Sequence, residues 1–193
     1  MMQSVSPVVE FLVSRRAPNT DKGWFTLIFE LNPNIRIREL VPDDEPGALA
    51  VFSACNDYFE AATGTPSAPG DVQSLFYAIP EGAEPEQKRV LVVMRDARLI
   101  GVIDIVIRYP HRSACAVGLF LLHPDQRRQG LGSSIARMLL SQARKNGITQ
   151  VTATTPVGWP AGRAFLENLG FAIGPPARQE RPILRAKIAL TRW

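Results

Sequence analysis

Apolar positions recur along this chain in two periods, and each period predicts its own kind of element. Arg89–Met94 and Leu99–Arg108 are dense in valine, leucine and isoleucine and flank the polar turn Arg95-Asp96-Ala97-Arg98, which predicts a β-hairpin. Ala114–Leu122 (ACAVGLFLL) is long, apolar and uncharged, as a strand buried on both faces would be. Ile35–Leu40 alternates apolar and charged residues in the manner of an edge strand. Ile148–Thr154, Phe171–Ile173 and Ile183–Thr191 supply further strands, the last with Leu184, Ala186, Ile188 and Leu190 alternating against Arg185 and Lys187. Helical spacing runs from Asp43-Asp44 through Leu49, Val51, Phe52 and Cys55 toward Phe59, over Asp71–Ala78, from Gly132 through Ile135, Met138, Leu139 and Ala143, and over Pro160–Leu169. The pattern predicts an α/β (α+β) domain over residues 35–193, a mixed sheet flanked by helices.

Residues 1–34 precede that pattern. They hold two β-like runs, Val8–Val13 and Trp24–Leu31, and read as a hairpin, a disordered extension, or the product of a start codon assigned too far upstream. If ordered, the Trp24–Leu31 run should pair with a sheet edge or with a second subunit in a homodimer, because its apolar length is a liability when exposed.

The 193 residues, 46% apolar and 21% charged, suffice for one sizeable core. No apolar run approaches the ~18–20 residues that span a bilayer, so a cytoplasmic domain with no membrane partner is expected. Cys55 and Cys115 sit in apolar contexts, which suits reduced thiols, and no cysteine or histidine cluster is spaced to hold a metal. The net charge of +4 comes mostly from arginine, spread along the chain rather than gathered with aromatics, and so does not point to nucleic acid.

The run Leu121–Ser133 (LLHPDQRRQGLGS) changes the picture. It carries a buried strand into a glycine-rich turn that opens directly into a helix, with Ser133 and Ser134 placed to cap. Backbone N–H groups at a helix start have no partner of their own and the dipole favours an anion, so Gly130 and Gly132 leave room for a phosphate. Arg127 and Arg128 add positive charge, although Arg128 reads equally as a solvated loop residue. A Rossmann fingerprint is absent, as is the GxxxxGK[ST] run of nucleotide triphosphatases.

At these residues the chain resembles the GNAT superfamily of acyl-CoA-dependent N-acyltransferases, whose pyrophosphate loop reads Gln/Arg-x-x-Gly-x-Gly/Ala. Here it is Arg127-Arg128-Gln129-Gly130-Leu131-Gly132, and the helix ending Leu169-Gly170-Phe171 follows at the family's distance. The likeness covers roughly residues 35–191. It implies a mixed, mostly antiparallel sheet splayed at its central strand, with acetyl-CoA as co-substrate and no metal. The implied coenzyme A residues are Leu121, Leu122, Arg127, Arg128, Gln129, Gly130, Leu131, Gly132 and Ser133, with Phe165 packing beside the coenzyme or in the core. Backbone groups of about Phe120–Leu122 would meet the pantetheine and the thioester oxygen.

The chain departs from the family at both catalytic positions: Ala116–Leu122 holds no glutamate, and Leu166 stands where many members place a tyrosine. Trp159 lies near the place of the family's usual asparagine. Asp104, mid-strand in an apolar run, is the leading substitute base, against a structural pair with an arginine. Tyr58 could donate or stack, and Glu60 could hold an ammonium, at a helix end that overhangs the acceptor site in the family. The implied function is transfer of acetyl from acetyl-CoA to a primary amine, of a small molecule. A coenzyme A-binding sensor without efficient catalysis and a protein lysine or N-terminal acetylase are the alternatives.

Overall fold

A computed structural model of the chain describes residues 29–176 and 182–190. Most of the Trp24–Leu31 run and all of Val8–Val13 lie outside them. Eight strands form one sheet: β1 (Phe29–Asn32), β2 (Ile35–Glu39), β3 (Lys88–Arg95), β4 (Arg98–Ile107), β5 (Ala114–Leu122), β6 (Gln150–Pro156), β7 (Ala172–Pro176) and β8 (Ile183–Ala189), in the order β1-β2-β3-β4-β5-β6-β8-β7. Every neighbouring pair is antiparallel except β5 and β6. Five helices flank it: α1 (Glu45–Ala54), α2 (Asn56–Thr63), α3 (Gly70–Tyr77), α4 (Leu131–Lys145) and α5 (Pro160–Asn168). None of the described helices is long and apolar enough to cross a membrane.

Strand period two sorts the side chains into two cores. Val90, Val92, Val102, Leu119 and Leu121 face α1–α3 and pack on Val51, Phe52 and Phe59. Leu91, Ile103, Ile105 and Val151 face the other way, onto Ile135 and Leu140 of α4 and Leu166 of α5. Both layers are needed because β4, in the middle of the sheet, is buried along almost its whole length.

Three local expectations change. Ile35–Leu40 is not an edge: β1 pairs outside it, and the turn between them closes when the Asn32 side chain accepts hydrogen bonds from the Asn34 and Ile35 N–H groups, both at 3.0 Å. The helix read from Asp43 to Phe59 is two helices, broken at Cys55, whose N–H bonds back to Phe52 over three residues rather than four. Ser133 and Ser134 do not cap α4. Its N-cap is Gly130, in the left-handed region at φ 80°, with no side-chain cap at all.

Close packing of the hairpin on β5 depends on Gly101. A Cβ there would lie 2.5 Å from Leu122 Cδ2 and 2.8 Å from the Leu121 carbonyl. Gly101→Ala is therefore expected to cost about 1–3 kcal/mol, read from the urea midpoint at unchanged m-value.

Candidate active site

The site grows from one interruption in the sheet. β5 stays paired with β4 from Cys115 to Leu122 on either side of one irregularity, but its parallel pairing with β6 stops at Val117↔Ala153, while β6 continues beside β8 to Pro156. At that point Gly118 bulges out of register with β4, between Asp104↔Leu119 and Ile105↔Val117. From Gly118 onward, the edge of β5 that faces the gap has no strand partner for its N–H and C=O groups. These are groups a ligand can satisfy.

On the α4 side the gap opens into a groove of about 400 Å³ lined by Phe120, Leu122, Arg127, Arg128, Gly130, Gly132, Ser133, Trp159 and Phe165. Gly130 looks into open space, and the first N–H groups of α4 follow it without an acidic residue in the first turn. Gly132 also serves packing: a Cβ there would sit 3.3 Å from the Phe165 ring, which in turn packs on Phe120 at 5.2 Å. This groove suits an extended ligand with phosphate at one end and an apolar arm at the other.

The implied coenzyme A residues are placed unequally. Gly130, Gly132, Ser133, Arg127, Arg128 and Phe165 line the groove, while Leu121 and Leu131 point into the two cores. Leu122 is buried but reaches the groove wall. Gln129 is exposed and donates to the Asp125 carbonyl at 2.9 Å. Arg127 turns away from solvent and clamps α2. Its Nε donates to the Leu122 carbonyl at 2.8 Å, its Nη1 to Asp57 Oδ2 at 2.6 Å, and its Nη2 to Cys55 Sγ at 3.0 Å, with the guanidinium 5.8 Å from the centre of the Trp159 ring. Trp159 Nε1 donates to the same Asp57 carboxylate at 2.9 Å. Burial opposes ionisation of Asp57, yet the hydrogen bonds from Arg127 and Trp159 outweigh it and hold the carboxyl below its usual range. Asp57 thus joins the ends of β5, α2 and α5 around the gap.

Asp104 stands behind the bulge, buried against Gly118, and lines neither the groove nor the apolar cavity that adjoins it. Its Oδ2 lies 2.7 Å from Lys88 Nζ and 2.7 Å from where a Cβ on Gly118 would be, so only a glycine leaves the space. The pair partner is a lysine rather than the arginine considered above, and Lys88 also donates to the Ala78 carbonyl at 2.8 Å. Asp104 Oδ1 is buried without a hydrogen-bond partner among the described residues. Burial pushes the Asp104 carboxyl up, against the pull of Lys88. Tyr58 lines the gap between Phe59 and Trp159, at ring distances of 5.2 and 5.3 Å, and its phenol is pushed up by burial and then by Asp104. Glu60 is exposed on α2 and lines neither the groove nor the gap.

Sequence reading passed over Lys88, Asp57 and Gly118. Lys88 had a signal: the β3–β4 register pairs Val90 with Asp104 and Lys88 with Val106, so Lys88 and Asp104 are diagonal neighbours on one face. Gly118 had none, because a bulge depends on the partner strand.

A sheet that parts beside a bare helix start can receive a phosphate-bearing ligand. The model of the Acetyltransferase (GNAT) family matches residues 51–171, and the chain belongs to that family, whose members move acetyl from acetyl-CoA to an amine. Among solved structures, it is similar to an acetyltransferase from Thermus thermophilus (18% identity, TM-score 0.66, covering 81% of this chain and 97% of that one). It is also similar to an acetyl transferase of Salmonella typhimurium that modifies the N-terminal serine of a 50S ribosomal subunit protein (12%, TM-score 0.69, 84% and 98%). A ribosomal alpha-N-protein acetyltransferase in complex with coenzyme A is a third (11%, TM-score 0.62, 84% and 97%). No curated protein sequence matches the chain.

Removing one member of the buried pair is the sharpest test of its energetics. Lys88→Ala should cost about 3–5 kcal/mol by leaving Asp104 uncompensated, and Lys88→Met with Asp104→Leu should recover most of it in urea melts. Because the folded-state pKa of Asp104 is raised above its unfolded value near 3.9, the folded state holds this proton more tightly. Its contribution to stability is therefore fully present below about pH 4 and declines as pH rises toward the folded-state value. Asp104→Asn should remove that decline from a stability-against-pH curve.

Proposed function

We propose that this chain acetylates a primary amine of a small molecule, with acetyl-CoA held by Arg128, Gly130, Gly132 and Ser133 and by the free edge of β5, and with Asp104 as the proton acceptor. One observation carries the reading: the carboxylate of Asp104 stands at the bulge where β5 leaves β6, in the space a side chain at position 118 would fill. A neighbouring strand thus delivers an acid to the strand that otherwise carries none.

An alkyl ammonium with a pKa near 10 must lose a proton before it attacks. Asp104, desolvated and with its Oδ1 unpartnered, accepts that proton directly or through water. The amine then adds to the thioester carbon while N–H groups on the gap-facing edge of β5 stabilise the oxyanion. Collapse breaks the C–S bond, and a thiolate with a pKa near 8.5 needs less acid assistance than an alkoxide would. Tyr58 and Trp159 bound the acceptor's approach, an apolar aperture suited to an amine on a slender chain. Arg127, engaged by Asp57, fixes the width of the gap. Similarity to enzymes that act on a ribosomal protein's N-terminus makes a peptide amine the second acceptor class.

Screening small amines and N-terminal peptides with acetyl-CoA and a thiol-release readout separates the two classes. Turnover only with peptides contradicts the small-molecule reading. Asp104→Asn should lower kcat by roughly 10²–10⁴ with coenzyme A affinity nearly unchanged, and wild-type kcat/KM should rise with pH until base and amine have titrated. Gly130→Glu should abolish the coenzyme A heat in calorimetry by placing a charge on the phosphates. Full kcat in the first variant or unchanged affinity in the second removes the corresponding residue from its role.

A further inference from the structure

We propose that the same site also accepts acyl-CoA donors with chains of three or four carbons, the chain lying in an apolar cavity between the sheet and α4; this rests on the acyl-transfer reading above. The cavity holds about 110 Å³ and joins the coenzyme groove at Phe120, Trp159 and Phe165, which line both. Gly118, Val117, Leu139, Ala143 and Phe29 of β1 also line it. A donor whose pantetheine follows the groove presents its thioester at this junction, so the acyl chain enters the cavity first.

Size and chemistry favour that occupant. An apolar cavity of about 150 Å³ takes a benzene, so 110 Å³ is room for about four carbons. The acetyl unit takes two of them, which leaves space for about two more. Phe29, Val117, Leu139, Phe120 and Phe165 are only partly buried against the core they join, so apolar surface remains to be covered. An apolar chain gains the dispersion contacts that an open cavity forfeits, whereas a polar acceptor would find few partners along this wall. The reaction is unchanged by chain length: nitrogen bonds to the acyl carbon, the C–S bond breaks, Asp104 takes the amine proton, and coenzyme A leaves as thiolate.

Calorimetric affinities for acetyl-, butyryl-, hexanoyl- and octanoyl-CoA test this without any acceptor. Each methylene is expected to tighten binding about three- to fourfold up to four carbons, with no gain at six or eight. Leu139→Trp should flatten the series and Leu139→Ala should extend it to six carbons, both read as the ratio of each affinity to that of acetyl-CoA in the same variant. A wild-type series that is flat or declines beyond acetyl overturns the proposal, leaving acetyl transfer intact. If no acyl-CoA binds, acetyl-CoA included, the transferase reading fails and this inference with it. A flat donor series combined with amines whose KM falls as their tails lengthen would likewise overturn it, assigning the cavity to the acceptor.

Discussion

A strand cannot leave its partner inside a folded core without stranding the hydrogen-bonding groups that the pairing satisfied. That constraint organises this molecule. β5 keeps β4 and abandons β6 after Val117, and the bulge at Gly118 is where the break is made. An opening of this kind persists when the stranded groups face a ligand path and the surrounding structure fixes the two arms. Both conditions hold, since the groove from α4 leads to the free edge of β5, and Asp57 ties the ends of β5, α2 and α5.

Charge is placed sparingly around that opening. Asp104 and Lys88 form a buried pair in which desolvation offsets attraction, so the pair is a poor device for stability alone. Its location against the Gly118 bulge is therefore the more telling property. The Arg127–Asp57 pair is half exposed, and screening reduces what such a pair adds to stability. Its value is geometric: five donors in a rigid fork reach a backbone carbonyl, a thiol and a carboxylate at once. Gly162 helps by leaving room for the Trp159 ring and the Thr155 hydroxyl, both of which a Cβ would strike.

How much of this the sequence announces follows from the range of the interactions. The β3–β4 hairpin, the long α4 and the strand Ala114–Leu122 rest on local periodicity and appear where the pattern puts them. Gly130 is legible because a glycine at a helix start is a local signal. Asp104 stands out as an acid in an apolar run, but its partner Lys88 sits in what reads as a polar loop. Only the hairpin register joins them. Arg127 looks like a phosphate ligand because the loop motif puts it there, and nothing local reveals Asp57 at 2.6 Å across 70 residues. Ser133 and Ser134 look like caps by residue type, yet the left-handed turn at Gly130 starts the helix earlier.

The structure of the chain crystallised with acetyl-CoA tests the central claim most directly. The expected result places the pyrophosphate on the backbone N–H groups at the start of α4, the pantetheine between β5 and β6, and the thioester carbon beside Gly118 within reach of Asp104 through at most one water. Coenzyme A lying outside the gap, or a thioester turned away from Gly118 with Asp104 sealed behind the bulge, would contradict it.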